Sequence, residues 1–182
     1  APAQDIVTYE TVSTWPRHGV HSAYSGPPSD ENNAAWDALT RSMFFNASAG
    51  ELRAAGETLE DSVQFPDGSY LASLGVSHDV HCLRQVRLYF YRDTYYPHLT
   101  PRQDQSLRGH VGNDHCIEAL RLSVMCTGDV GMYSFYWKEG QDPRTSKPGT
   151  KTRSLRKCVV WDKVQAWSEK RMVPKSVDVV RP

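Results

Sequence analysis

The sequence predicts a mainly α-helical single domain of antiparallel helices, with a few short strands, long irregular segments and disulfide links. Three observations carry this. Two long stretches, Ser77–Tyr95 and Gln105–Cys126, space their apolar residues as helices do. A short loop, Tyr96-Pro97-His98-Leu99-Thr100-Pro101, joins them, which makes them antiparallel neighbours. The 182 residues, 39% hydrophobic and with 19 aromatics (5 Trp, 9 Tyr, 5 Phe), suit one ordinary core. Residues 1–27 read as an extended arm, 28–176 as the folded domain and 177–182 as a tail.

Taken in order, the arm carries Pro2, Pro16 and Pro27 among Ser, Thr and Gly, with one strand at Ile6–Thr11. The run Pro28-Ser29-Asp30-Glu31 opens a helix: Ser29 or Asp30 caps it, and the acidic first turn suits the helix dipole. Trp36, Leu39 and Met43 then fall at helical spacing and point to the core. Phe65-Pro66-Asp67-Gly68-Ser69-Tyr70 reads as a turn between two short strands. The long helices follow, and Thr127-Gly128-Asp129 ends the second. Residues 139–154 form a polar loop, and a last helix runs over Trp161–Met172.

Charge excludes several classes of function. With 21 basic and 21 acidic residues the chain is formally neutral, so neither nucleic acid nor an anionic membrane surface is its main partner. No run of 18 apolar residues is present to span a bilayer, and Ala1-Pro2-Ala3-Gln4 does not read as a signal peptide. A soluble protein, or the soluble part of a longer one, is the expectation. No nucleophile elbow marks a serine hydrolase.

The chemistry sits in two histidine clusters, His78-Asp79-Val80-His81-Cys82 and His110-Val111-Gly112-Asn113-Asp114-His115-Cys116. His78 and His81, at i and i+3, share a helix face close enough to hold one ion, and Cys82 lies on that face too. The His-Cys dipeptide recurs at 115–116. Two such pairs on neighbouring helices predict a metal site built from His78, His81, His110 and His115. Imidazole suits copper, zinc, iron and nickel rather than magnesium or calcium. Within the second cluster the spacing is H-x4-H-C, and i and i+5 diverge by ~140° on a regular helix. Either Gly112 bends the chain, or the helix begins only near Asn113, with Asn113 or Asp114 as cap. Asp79, Asp114, Glu118 and Asp129 are candidates to orient the histidines. His18, His21 and His98 read as solvated surface, and Tyr89, Tyr91, Tyr133, Tyr136 and Trp137 carry no assigned role.

Cys82, Cys116, Cys126 and Cys158 form no CxxC pair, and their even number permits two disulfides. Cys116 and Cys126 are ~15 Å apart on a continuous helix, too far to bridge. The pairing is then 82–116 with 126–158, or 82–126 with 116–158. Asn46-Ala47-Ser48 is a glycosylation sequon, in keeping with a secretory lumen.

The chain resembles the UstYa-like family of fungal oxidases over about residues 27–172. The resemblance rests on Pro28-Ser29-Asp30-Glu31 with Ala35-Trp36, on Leu74 through Leu83, and on Asp114 through Arg121 with Met125-Cys126 and Asp129. The family hallmark is two HxxHC motifs; the first is intact here, and in the second Gly112 stands where a histidine would. The resemblance implies a lumenal domain behind one membrane anchor, copper (one or two ions) with dioxygen as co-substrate, and His78, His81 and His115 as catalytic ligands. It also implies oxidative tailoring of a small-molecule or peptide natural product in fungal secondary metabolism, by hydroxylation, oxidative cyclisation or chlorination. The competing expectation is a non-catalytic accessory subunit that binds a partner enzyme or metabolite and whose metal, zinc in that case, is structural; a homo- or hetero-oligomer is open under either expectation.

Overall fold

The computed structural model describes residues 2–13, 21–112, 115–142, 144–174 and 179. Helix outweighs strand throughout. A 3-10 turn at Gln4–Ile6 precedes β1 (Tyr9–Val12), α1 (Asp30–Leu39), β2 (Phe45–Ala47), α2 (Ala49–Ala54) and β3 (Tyr70–Ala72). Then come α3 (Gly75–Phe90), α4 (Arg92–Tyr95), α5 (Pro101–Gly112), α6 (Cys116–Thr127), β4 (Ser134–Tyr136), β5 (Gly149–Lys151), β6 (Arg156–Val159) and α7 (Trp161–Lys170). No helix among the described residues is long and apolar enough to cross a membrane.

The strands form three antiparallel pairs: β1 with β6, β2 with β3, and β4 with β5. The first joins the two ends of the chain, Tyr9 facing Val159 and Val12 facing Arg156. The strand expected at Ile6–Thr11 is thus present one to three residues later. The polar loop expected over 139–154 instead contains β5, whose Gly149 lies under the ring of Tyr136. A Cβ at residue 149 would meet that ring at 2.8 Å, so the pairing needs glycine there.

Three helices, α1, α2 and α5, start where side chains satisfy free N–H groups. Ser29 caps α1 by accepting from the Asn32 N–H. Ser48 and Glu51 form a reciprocal capping box on α2, a helix additional to those expected from the sequence. Thr100 and Gln103 do the same for α5, with Pro101 in the first turn, so α5 begins before residue 105. The single helix expected over 105–126 is two, α5 and α6. Gly109 and Gly112 weaken the helix before the break, and α6 restarts at Cys116. Asn113 and Asp114, the expected caps, lie outside the described residues, as do His18 and all of the tail 177–182 except residue 179. The other long helix also breaks, at Tyr91, where α3 gives way to α4.

The apolar core gathers Phe45, Ala47, Leu52 and Tyr70, with Leu59, Leu74 and Trp167 against them. Phe45 meets Trp167 edge to face at 5.0 Å. Trp36 is buried, as its spacing predicts, and donates its indole N–H to the Tyr24 carbonyl. Leu39 and Met43 are only half-buried. Around α3, Arg87 donates to the Gly26 carbonyl and to Asn32, and Arg84 pairs with Asp37 and Thr40. These contacts lock the chain before α1, and α1 itself, onto α3, and so fix the helix that carries His78 and His81.

Arg171 closes the core with a two-pronged contact to Glu51, 2.6 and 2.7 Å, and a bond to the Asn46 carbonyl. Arg171 is the main reason the Glu51 carboxyl falls from 4.5 to about 2; burial opposes this and Ser48 reinforces it. A depressed carboxylate stabilises the fold above its ordinary value, and that contribution disappears as pH falls toward about 2. Arg171→Met therefore lowers stability in urea at neutral pH by about 1–3 kcal/mol. It also flattens the acid limb between pH 4.5 and about 2, which urea titrations across that range would read directly.

Candidate metal centre

All four histidines singled out in the sequence meet where α3, α5 and α6 come together. His78 and His81 project from one face of α3, one turn apart. His110 stands near the end of α5, next to Val111, which is buried and anchors that end. His115 occupies the N-cap position of α6, and its carbonyl accepts the first bond of that helix from Ala119. The break between α5 and α6 removes the problem of the five-residue spacing, because His110 and His115 no longer share a helix axis.

The rings form a closed circuit. Centroids lie 5.0 Å apart for His78 and His115, 5.4 Å for His115 and His110, 6.0 Å for His110 and His81, and 6.4 Å for His81 and His78. His78 Nε2 is 3.0 Å from His115 Nε2. Two nitrogens that each sit about 2.0–2.1 Å from one ion are roughly 2.8–3.4 Å apart for angles between square and tetrahedral. The pair therefore already has the separation of two ligands on one cation. Cys82 completes a tight group: its sulfur and the nearest nitrogens of His78 and His115 lie within 4.8 Å of one another.

Burial, followed by the positive fields of His110 and His78, pushes the His81 pKa below the ordinary histidine value. The neutral form of His81, with a lone pair free for a metal, is thus favoured over that of an ordinary histidine. Cys82 behaves differently. Burial, then Cys116 and Asp79, push its thiol up to about 12. It is protonated at neutral pH with no cation beside it, and makes a poor thiolate ligand compared with the imidazoles around it.

All four cysteines are free thiols in the structure, so neither expected bridge is formed in it. Cys82 and Cys116 are nevertheless neighbours, both fully buried between α3 and α6. Cys126 is exposed on α6 and Cys158 is half-buried in β6.

The acidic candidates have other partners. Asp79 accepts from the Ser123 hydroxyl at 2.6 Å, Glu118 pairs with Arg121, and Asp129 pairs with Arg156. Asp79 ties α3 to α6, Asp129 ties the loop after α6 to β6 and Glu118 pairs within α6, so none of the three orients a described imidazole, and Asp114 lies outside the described residues. Ser123 was not legible in the sequence, because its contact depends on how α6 crosses α3. His21 and His98 are exposed, as expected.

His78 and His115, with Cys82 beside them, form the close donor group, the rings of His81 and His110 stand next to it, and no described carboxylate enters it; imidazole donors of this kind suit a borderline transition metal such as copper or zinc. Comparison with known proteins adds the family. The profile described as "Mycotoxin biosynthesis protein UstYa" matches residues 1–171. The chain is 35% identical over 154 residues to UstYa family oxidase phomYc of Diaporthe leptostromiformis, covering 81% of this chain and 58% of that protein. It is 24% identical over 182 residues to UstYa family oxidase aprY of Aspergillus flavus, covering 91% and 52%. A shorter stretch of 59 residues, 32% of this chain and 20% of the relative, is 42% identical to oxidase ustYb of the same fungus. The chain belongs to the UstYa family. It spans about half the length of the curated relatives it matches. No solved structure matches it.

The Asp79–Ser123 bond holds α3 to α6 beside the site, so Ser123→Ala costs about 1–2 kcal/mol of unfolding free energy. Glu118→Gln, which breaks an exposed, solvent-screened pair, leaves the unfolding midpoint essentially unchanged. Chemical denaturation of the two variants separates these cases.

Proposed function

We propose that the protein is a copper-dependent oxidative tailoring enzyme of fungal secondary-metabolite biosynthesis. It acts with dioxygen on C–H bonds of a small-molecule or peptide natural product. The observation that carries this reading is the closed circuit of four imidazoles. Family membership and the oxidase names of the relatives support the oxidative part. The donor set supports copper: zinc has no redox chemistry, and non-haem iron sites that use dioxygen combine two histidines with a carboxylate. No described acidic side chain supplies that carboxylate, since Asp79, Glu118 and Asp129 are engaged elsewhere.

His78, His81, His110 and His115 would hold the ion. When bound, copper supplies one-electron redox exchange with dioxygen. The chain's own residues supply position. α3 fixes His78 and His81, half-buried, on one side. His110 and His115 are more exposed and leave the site open on theirs, where a substrate can approach. Hydroxylation, oxidative cyclisation and chlorination all begin with loss of a hydrogen from carbon, so one open site serves all three.

The same reading places the protein in an oxidising lumen. There Cys82 and Cys116 would each give up a proton and an electron to the compartment's oxidant and join, with Cys126 and Cys158 forming the second bridge. The adjacency of Cys82 and Cys116 favours this pairing over 82–126 with 116–158. Asn46 is exposed in β2 between buried Phe45 and Ala47, so a glycan on it would point to solvent.

Two measurements test the proposal. Copper-loaded protein given its natural-product substrate turns over with air and not without it. Turnover by zinc-loaded protein contradicts the copper assignment; no turnover with any metal contradicts the enzyme reading and leaves the accessory subunit. His81→Ala and His115→Ala each lose bound copper, measured by mass spectrometry, with far-ultraviolet circular dichroism unchanged. Full copper occupancy in both removes the assignment. For the lumenal protein, thiol titration under denaturing conditions finds no free thiol; two or more contradict the bridges.

A further inference from the structure

α6 is apolar on nearly every side. Its sequence, Cys116-Ile117-Glu118-Ala119-Leu120-Arg121-Leu122-Ser123-Val124-Met125-Cys126-Thr127, holds two charges, and these neutralise each other as the Glu118–Arg121 pair. A helix of that composition normally lies inside a protein. Here α3 and α5 cover only part of it. Ile117 is 51% exposed, Val124 68% and Met125 67%, and the apolar surface continues past Gly128 into Val130, Met132 and Leu155, 92%, 78% and 67% exposed. Val130, Met132 and Leu155 line one open groove with the end of α6. The Ser154 hydroxyl, bonded to both the N–H and the carbonyl of Met132, holds Leu155 alongside.

We propose that this surface is a homodimer interface, covered by the same surface of a second copy of the chain. Two properties point to that occupant. The six residues expose on the order of 800 Å², about what each partner contributes to a standard protein–protein interface and at or above the largest apolar patch a typical monomer shows. The charges on α6 and on the loop after it are also paired within the patch. A two-fold contact sets every group against its own copy, so a patch of one sign would repel itself. Glu118–Arg121 and Asp129–Arg156 are matched pairs that keep the apolar part of this one self-compatible, and Lys157, which also lines the groove, sits over the Tyr9 ring.

Sedimentation velocity of the metal-loaded chain at micromolar concentration tests this. The native chain sediments as two copies. Val124→Glu with Met132→Lys lowers the dimer affinity at least about a hundredfold and yields monomer, with unchanged circular dichroism and copper content. Leu155→Asp, a single change outside any helix, does the same and keeps the test available should the double variant misfold. Phe90→Glu alters a side chain 74% exposed at the far end of α3 and leaves the dimer intact. A native chain that stays monomeric up to its solubility limit overturns the proposal, as does a dimer insensitive to both patch variants. Monomer that floats with neutral phosphatidylcholine vesicles through this face also overturns it, in favour of a bilayer.

Discussion

The arrangement depends on how closely α3 and α6 approach each other. Cys82 and Cys116 lie between them with no exposed surface at all. Cysteine is small and tolerates complete burial, so the two helix backbones come near enough for His78 and His115 to bring their Nε2 atoms within 3.0 Å. A larger apolar residue at either position would push the helices apart by more than the tolerance of a metal site. The HC dipeptide thus has a geometric meaning: the cysteine sets the spacing, and the histidine beside it reaches into the space so defined. The Asp79–Ser123 bond fixes the same crossing from the polar side.

The electrostatics of the centre follow from what surrounds it. Four imidazoles share one small volume, so protonating any one of them disfavours protonating the rest. The lowered pKa of His81 reflects this together with its burial. Among the described residues nearby, Asp79, Glu118 and Asp129 bond to Ser123, Arg121 and Arg156 rather than to an imidazole. Such a site prefers a cation that accepts nitrogen ligands over a hard ion that needs oxygen.

Much of this was legible in the sequence, and the remainder was not for identifiable reasons. Four histidines in two clusters announced the centre, since i,i+3 spacing on a helix leaves little choice of face. The start of α1 was readable from Ser29 and its acidic first turn. The starts of α2 and α5 were equally encoded, in Ser48 with Glu51 and in Thr100-Pro101 with Gln103, and were passed over. The division into α5 and α6 was open as an alternative once His110 was seen to fall five residues before His115. What sequence spacing could not provide was contact across long separations. The pairing of β1 with β6, the partner of Asp79 and the bare face of α6 all depend on tertiary packing.

X-ray absorption at the copper edge of the loaded protein reports most directly on whether α3, α5 and α6 converge on one metal. The account predicts a first shell of nitrogen at about 2.0 Å with the outer-shell scattering of at least three imidazoles. A sulfur shell near about 2.3 Å, or a shell of light atoms without imidazole scattering, would contradict it.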